Sequence, residues 1–379
     1  MKELVEQGKS NSNVERLTWS QVLSWRLVQQ NLAPRLMCGD VTDVASALCG
    51  LHAQVLSCAK LSVLARLEEA SEEAVTQSLW ERRDLVKLWG VRGTLHLLPT
   101  RELNDWLSLF ATFTTYGMTR PDVRRLTDLA AQALYGQCHS RVQLANAVSL
   151  LGGGAEYSRM LTESWGTALK PVSFSGKLCF APGTGSTVRF THPGSWVGAD
   201  PTSVSPQRAR VAVARRVLAM HGAAGLGDLT RWLGLGMGRV AGLISALGEE
   251  VVPVTMEGQP GYALREHLPG LRAATEPKCV RLLPAFDQWT ITLPRDVNAG
   301  LPAAHRARVY RPQGWITPVI LVGHEIRGVW RATRQGGSLA VTFTSFGREI
   351  PRWARSSAER EAQRIAQFFG RRLSLRWEA

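Results

Sequence analysis

The stretch Lys87-Leu88-Trp89-Gly90-Val91-Arg92-Gly93-Thr94-Leu95-His96-Leu97-Leu98-Pro99 reads as two β-strands turning around Gly90 and Gly93, a basic and aromatic hairpin. Three helical patterns precede it. Thr42 or Asp43 caps a helix whose apolar residues Val44, Leu48 and Leu51 fall at i, i+4 and i+7. Ser57 caps a second, with Leu61, Leu64 and Ala65 on its buried face, and a third short helix covers residues 71 to 81. Three compact helices followed by a hairpin is the order of elements in a winged helix, where one helix enters a groove and the hairpin touches the backbone beside it. Further upstream, Thr18-Trp19-Ser20-Gln21 has capping-box spacing, and Trp19, Val22, Leu23 and Leu27 extend it as a helix over residues 19 to 31, ending before Pro34.

The order recurs. After Pro121, helical patterns over 122–135, 140–149 and 156–169 lead to the alternating run Val172-Ser173-Phe174-Ser175-Gly176-Lys177-Leu178-Cys179-Phe180, which reads as a strand. From residue 206, patterns over 207–221, 226–233 and 237–247 lead to strands at 249–254 and 262–265. A unit repeated at roughly 90-residue spacing implies tandem domains. A chain of 379 residues fits two or three domains of about 100 to 150 residues each. The expected fold class is α+β, mainly helical, with three tandem winged-helix domains at 16–118, 119–200 and 201–379. The last includes a β-rich segment with strands at 316–322, 325–333 and 339–344, closed by a basic amphipathic helix from Ser356 or Ser357 to Phe369 with Gly370 as its stop. In that helix Ile365, Phe368 and Phe369 face inward, leaving Arg360 and Arg364 toward solvent or a partner.

A chain that is 45 % hydrophobic and 20 % charged folds, and only the polar start, Gln7 to Asn13, is expected to be disordered. The sequence has no basic-then-apolar leader and no run of about 18 apolar residues, so a cytoplasmic protein without membrane contact is expected. Six cysteines without a CxxC read as small buried hydrophobes in a reducing compartment. Cys49, His52 and Cys58 do not match structural zinc spacing, so no metal is expected. The net charge is +14, and from Arg295 onward fifteen arginines and no lysine face six acids. That tract favours a polyanion, because each phosphate contact releases counterions; a GC-rich genome writing arginine for any basic residue is the competing explanation.

Leu51-His52-Ala53-Gln54 carries the candidate chemistry. Inside a helix, positions i and i+2 point about 200° apart, so His52 and Gln54 can converge only on an extended or turn segment. The apolar stripe ends at Leu51 and a new cap stands at Ser57, so residues 52 to 55 are read as the connection. An imidazole and an amide together can orient one water but supply no covalent nucleophile comparable to serine or cysteine. They can equally satisfy backbone groups between two helices. No two-metal carboxylate cluster, phosphate-binding loop or Gly-x-Ser-x-Gly elbow is present, so an enzyme here works without metal or cofactor. Lys87, Trp89, Arg92, Trp315, Arg327 and Arg331 are the candidate DNA-contact residues, a basic and aromatic interleaving that suits phosphate and sugar, with buried tryptophans and solvated arginines as the alternative. His96 reads as a buried hydrogen-bonding strand residue and Asp287 as a turn cap.

Gly50-Leu51-His52-Ala53-Gln54, Trp89 to His96, Leu282 to Asp287 and Gly314-Trp315 with Gly328-Val329-Trp330-Arg331 resemble the ordered blocks of the AlkZ/AlkX (YcaQ-type) DNA glycosylases, over residues 16 to 372. The resemblance implies a C-shaped, basic surface for double-stranded DNA carrying alkylated bases, in a monomer at the bacterial nucleoid. It implies hydrolytic excision of N7-alkylated guanine, including bulky adducts and, in some members, interstrand crosslinks. The family's catalytic motif is Gln-hydrophobic-Gln or Gln-hydrophobic-Asp, with histidine first in some members that handle bulky adducts. Gln54 falls on its second position and His52 on its first, a departure that bears on crosslink activity and substrate range. Alkylation at N7 makes the base a good leaving group, so what remains is water delivery to C1′ and stabilisation of an oxocarbenium-like sugar. With only Lys60 near the motif, a Schiff-base lyase step is disfavoured. A bulky adduct requires an open cleft rather than the enclosed pocket of ordinary base flipping. The rival reading is a non-catalytic winged-helix regulator or damage-binding factor. Helices 57–69 and 237–247 offer few groups for base edges beyond Arg66 and Arg239, which argues against sequence readout.

Overall fold

Side-chain acceptors write several of the helix starts. Thr18 Oγ1 accepts the Gln21 N–H at 3.1 Å while Gln21 Oε1 accepts the Thr18 N–H at 2.9 Å, which begins the helix Trp19–Gln29. The next helix, Val41–Ala47, is capped by Asp40 rather than by Thr42 or Asp43, because Asp40 Oδ1 accepts from both the Thr42 N–H (2.7 Å) and the Asp43 N–H (3.0 Å). Ser57 also does not cap: the helix Leu56–Leu64 starts one residue earlier, after Val55. The computed structural model describes residues 14–113, 118–163, 166–347 and 350–378, and the polar start at 7–13 lies outside them.

One order of elements occurs three times, and the strand pairing repeats with it. In the first unit, Val41–Ala47 leads to a two-residue strand, Leu51–His52, then helices Leu56–Leu64 and Glu72–Trp80 and the hairpin strands Leu85–Trp89 and Leu95–Pro99. In the second, Arg120–Leu134, His139–Ser140, Arg141–Val148 and Gly154–Glu163 precede the hairpin Cys179–Thr184 and Thr187–Thr191. In the third, Pro206–His221, Ala223–Ala224, Leu226–Leu233 and Met237–Ser245 precede Val251–Met256 and Gln259–Leu264. Each short strand pairs antiparallel with the second hairpin strand of its own unit, in the registers Leu51↔Leu97, His139↔Phe190 and Ala223↔Ala263. The N-terminal strand Glu15–Leu17 joins the third sheet, parallel to Val251–Met256. The helix after it is anchored there too: the fully buried Arg26 donates to the carbonyls of His221 (2.8 Å), Thr292 (2.9 Å) and Ala223 (3.4 Å).

The alternating run at 172–180 is a strand only in its last two residues. Residues Leu169–Phe174 form a helix in which Val172, Ser173 and Phe174 are all buried, with strand Cys179–Thr184 following. A short alternation cannot separate a strand from a short helix that is covered on several sides. Here Ser173 Oγ accepts the Trp89 N–H at 3.3 Å, so this helix is the seam between the first and second units.

The C-terminal segment is a five-stranded sheet in the order Val280–Leu283, Val319–Val322, Glu325–Gln335, Ser338–Ser345, Arg372–Glu378. One face is covered by the helix Arg352–Phe368, which starts after Pro351; Ser357 Oγ donates to the Trp353 carbonyl (2.9 Å) instead of capping. Ala354, Ala358, Ala362 and Ile365 make its buried stripe. Arg360 is exposed as expected, but Arg364 points inward, donating to the Glu68 carboxylate (3.0 Å) and to the carbonyls of Leu67 (3.2 Å) and Glu68 (3.0 Å). Part of the arginine tract thus holds the last helix to the first unit. Among the described residues no helix is long and apolar enough to cross a membrane.

Candidate active site

The short strand Leu51–His52 of the first unit runs through Ala53 into a bend at Gln54 and Val55. His52 lies opposite His96, and the Ala53 N–H donates to the Leu95 carbonyl at 2.7 Å. Side chains on a strand alternate, so Leu51 and Ala53 enter the core between the helices while His52 leaves on the other side against Phe286, and Gln54, in the bend, is exposed. The non-helical connection expected from the sequence is present, with a strand residue at its start.

His52 is 8 % exposed, and its Nδ1 has no hydrogen-bond partner among the described residues. Burial, with a contribution from the Arg92 charge, pushes its pKa down to about 3, so the ring is neutral at physiological pH. Its face lies on Phe286 (centroids 4.9 Å, planes 17° apart) and its edge meets His96 (5.5 Å, 75°). His96 Nδ1 contacts the Thr94 carbonyl at 3.1 Å, and burial holds that ring neutral as well. Gln54, in contrast, is exposed, and its amide makes no hydrogen bond to the described residues.

A second loop brings Phe286 to the motif. Phe286 has φ +61°, a left-handed conformation that bulky side chains rarely adopt. It is held from both sides. Asp287, fully buried, caps the short helix Gln288–Thr292 through the Trp289 N–H (2.9 Å) and takes both arms of the equally buried Arg66 at 2.7 Å each, with Ser62 Oγ at 2.9 Å. Gln288 Nε2 donates to the carbonyls of Leu48 (2.8 Å) and Gly50 (3.2 Å), immediately before the motif, and its Oε1 accepts from Trp232 Nε1 at 3.3 Å. The turn expected at Asp287 is therefore real, and its partner Arg66 sits in the turn that ends the helix after the motif. Trp315 stands beside Phe286 (4.9 Å, 75°) and is 48 % exposed.

Three members of the expected basic, aromatic wing pack inward rather than stand free in solvent. Trp89 is 9 % exposed and packs on Phe180 and Phe190 of the second unit, because the hairpin strand that carries it forms the seam with that unit. Lys87 lies over the Phe180 ring, 5.1 Å from its centroid, and partial burial lowers its pKa. Arg92, at φ +57°, turns inward and donates to the Trp232 carbonyl, with its backbone against Gly234. Burial lowers its pKa to about 10. It is a half-buried cation whose charge acts on His52, and the hairpin tip is folded against the third unit. Arg327 and Arg331 are on the C-terminal sheet, paired with Glu325 and Glu378. Among the described residues no group of His, Cys, Asp and Glu could hold a metal ion. A surface crevice of about 640 Å³ between Arg82–Asp84, Arg101 and Trp196 is remote from this chemistry, and its arginines are already engaged by Asp84, Asp43 and the Trp196 ring.

Residues 45–368 match the family model described as DNA glycosylase AlkZ-like. The chain belongs to the AlkZ-like DNA glycosylase family. It is 32 % identical, over 94 % of its length and 97 % of the relative's, to a Streptomyces sahachiroi protein named interstrand DNA cross-link repair glycosylase. The solved structure of the Streptomyces sahachiroi DNA glycosylase AlkZ superimposes with a TM-score of 0.86 at 31 % identity, covering 96 % of this chain and all of the other. Membership makes this chain a DNA-repair glycosylase and sets aside the non-catalytic alternative. In this AlkZ-like chain the sequence missed the parts that mount the motif: Phe286, Arg66, Gln288 and Trp232. Phe286 and Asp287 lay in a quoted block, and the one local signal for Phe286 was an aromatic side chain ending an apolar strand just before a cap.

Proposed function

We propose that this AlkZ-like enzyme is a monofunctional glycosylase that hydrolyses the N-glycosidic bond of N7-alkylated guanine in double-stranded DNA, including bulky adducts. The observation that carries the proposal is a neutral, buried His52 with an unpartnered Nδ1, two residues from an exposed Gln54 amide without a partner among the described residues. Gln54 positions the hydrolytic water and His52 fixes it as a hydrogen-bond partner. An imidazole with a pKa of about 3 is a poor general base, and its neutrality avoids adding a positive charge beside a cationic base and an oxocarbenium-like sugar. Asp287, the carboxylate nearest in sequence to Phe286, is consumed by Arg66. Lys60 is held by Glu72 at 2.9 Å, which supports hydrolysis without a Schiff base.

The three units, at 16–118, 119–200 and 201–379, are read as tandem winged helices forming a C-shaped surface for a monomer on DNA, with Trp315, Arg327 and Arg331 as contacts. The name of the relative, an interstrand DNA cross-link repair glycosylase, supports adding interstrand crosslinks to the proposed range. The test is mass-spectrometric measurement of bases released from duplex treated with a methylating agent, a nitrogen mustard and a bulky intercalating alkylator. Wild type is expected to release N7-alkylguanine, and Gln54→Ala to slow single-turnover release by roughly 10²- to 10³-fold, as for loss of one transition-state hydrogen-bonding group. Wild-type rates in both Gln54→Ala and His52→Ala would remove these residues from the mechanism.

A further inference from the structure

Trp315 is mounted more firmly than an exposed tryptophan needs to be. The segment 309–317 is a small hairpin: Thr317 N–H donates to the Val309 carbonyl (2.9 Å), Tyr310 and Ile316 form a bridge, and Arg311 N–H donates to the Trp315 carbonyl (2.8 Å). Its tip turns through two left-handed residues, Gln313 (φ +60°) and Gly314 (φ +76°). Its base is pinned by Tyr310, whose hydroxyl donates to the Thr290 carbonyl (2.8 Å) and whose ring carries the Arg295 guanidinium 4.0 Å from its centroid. Residues 311 to 315 are all exposed, yet the indole sits against Phe286, the ring that lies flat on His52. Phe286 and His52 are nearly parallel and Trp315 stands 75° from Phe286, so the three rings make a corner with one arm open to solvent.

Single exposed apolar side chains are common and need no explanation. A rigidly held indole at right angles to a catalytic stack is different, because aromatic faces bind planar rings and cations, and N7-alkylated guanine is both. Resting on the function proposed above, we infer that Trp315 is a specificity-determining platform on which the planar aromatic part of a bulky N7-guanine adduct lies while Gln54 and His52 act at the sugar. A methyl lesion presents no second ring to this arm of the corner.

The test uses binding, so that it does not depend on turnover. Duplexes of one sequence carry a guanine whose 2′-fluoro sugar resists hydrolysis, bearing at N7 either a methyl group or a linker with a pyrene-sized ring. Affinities are measured for wild type, Trp315→Ala and Trp315→Phe. Stacking of one ring system predicts that Trp315→Ala lowers the planar-to-methyl affinity ratio by about tenfold or more, and that Trp315→Phe restores most of it. A ratio unchanged in Trp315→Ala, or phenylalanine no better than alanine, overturns the inference. Cleavable versions of the same duplexes separate the two readings: a Trp315-dependent ratio with no base released by wild type would sink the proposed hydrolysis and leave the platform standing.

Discussion

The hairpins of the first and second units share one topology and have opposite fates. In the second, residues 182–188 project into solvent around Gly185, as an exposed wing does. In the first, the tip from Gly90 to Thr94 is folded against the third unit, with Arg92 donating to the Trp232 carbonyl and its strand sealed on the second unit by Trp89. The difference teaches that the first hairpin has exchanged outward contact for the construction of a site. Its strand Leu95–Pro99 backs His52, and its arginine contributes the half-buried charge that helps to keep His52 neutral.

The comparison can be broken most severely at the buried pair that brings Phe286 to the first hairpin. Asp287→Ala leaves Arg66 as an uncompensated charge in a fully buried position and is expected to cost about 3–5 kcal/mol, read as a fall in the denaturation midpoint. The double variant Asp287→Leu with Arg66→Met should recover much of that loss, and a double no better than the single would mean that the pair is not buried as described. No such pair anchors the second hairpin among the hydrogen bonds and ion pairs of the described residues around 182–188.

A smaller effect follows from the neutral histidines. His52 has a folded pKa of about 3, below the ordinary imidazole value near 6.5, so between those values the unfolded chain binds more protons than the folded one. Stability therefore falls as pH drops below 6.5, by about 2 kcal/mol for His52 alone between pH 6.5 and 5 at about 1.4 kcal/mol per unit. His96, also shifted down by burial, adds in the same direction. Single-turnover excision should meanwhile show no acid limb between pH 5 and 8 from His52. A limb near pH 6.5 that disappears in His52→Gln would show a freely titrating ring.

The smallest effect compares the two tips directly. Gly234 has φ +69°, and a Cβ there would lie 3.2 Å from the Arg92 Cα, whereas Gly185 has φ +60° and open space around it. Gly185→Ala should cost about 1 kcal/mol from backbone strain alone, and Gly234→Ala about 2 kcal/mol because it also presses on the docked tip. Equal losses in thermal melts would mean that the first hairpin is as free as the second.

Local features carried most of the fold into the sequence. The helix at 226–233 lies where its periodicity puts it, the hairpin at 85–99 follows its glycines, and the capping box at Thr18 forms as written. Errors arose where a nearby acceptor outcompeted the expected one, as with Asp40 over Thr42, or where a short alternation was covered on several sides, as at 172–174. At the candidate site, the non-helical placement of His52 and Gln54 was legible because the apolar stripe ends at Leu51 and an i, i+2 pair can converge only off a helix. Phe286 on His52 and Arg66 on Asp287 were not. Each joins residues more than two hundred positions apart, and no local periodicity encodes such a partner. Arg92 was legible as a cation but not in its direction, which depends on a carbonyl of the third unit.

The parallel pairing of Glu15–Leu17 with Val254–Met256 has a consequence for biosynthesis. The strand Glu15–Leu17 has no partner until residue 254 has been made, which at about 5–20 residues per second is a delay of the order of ten seconds or more. During that interval the nascent chain displays an unpaired edge and the apolar side of the helix Trp19–Gln29, including Trp19, Val22 and Leu23. The third sheet is thus closed late, by a strand made long before its partner, and chaperone occupancy of residues 15–29 during translation is the cellular counterpart of that clasp.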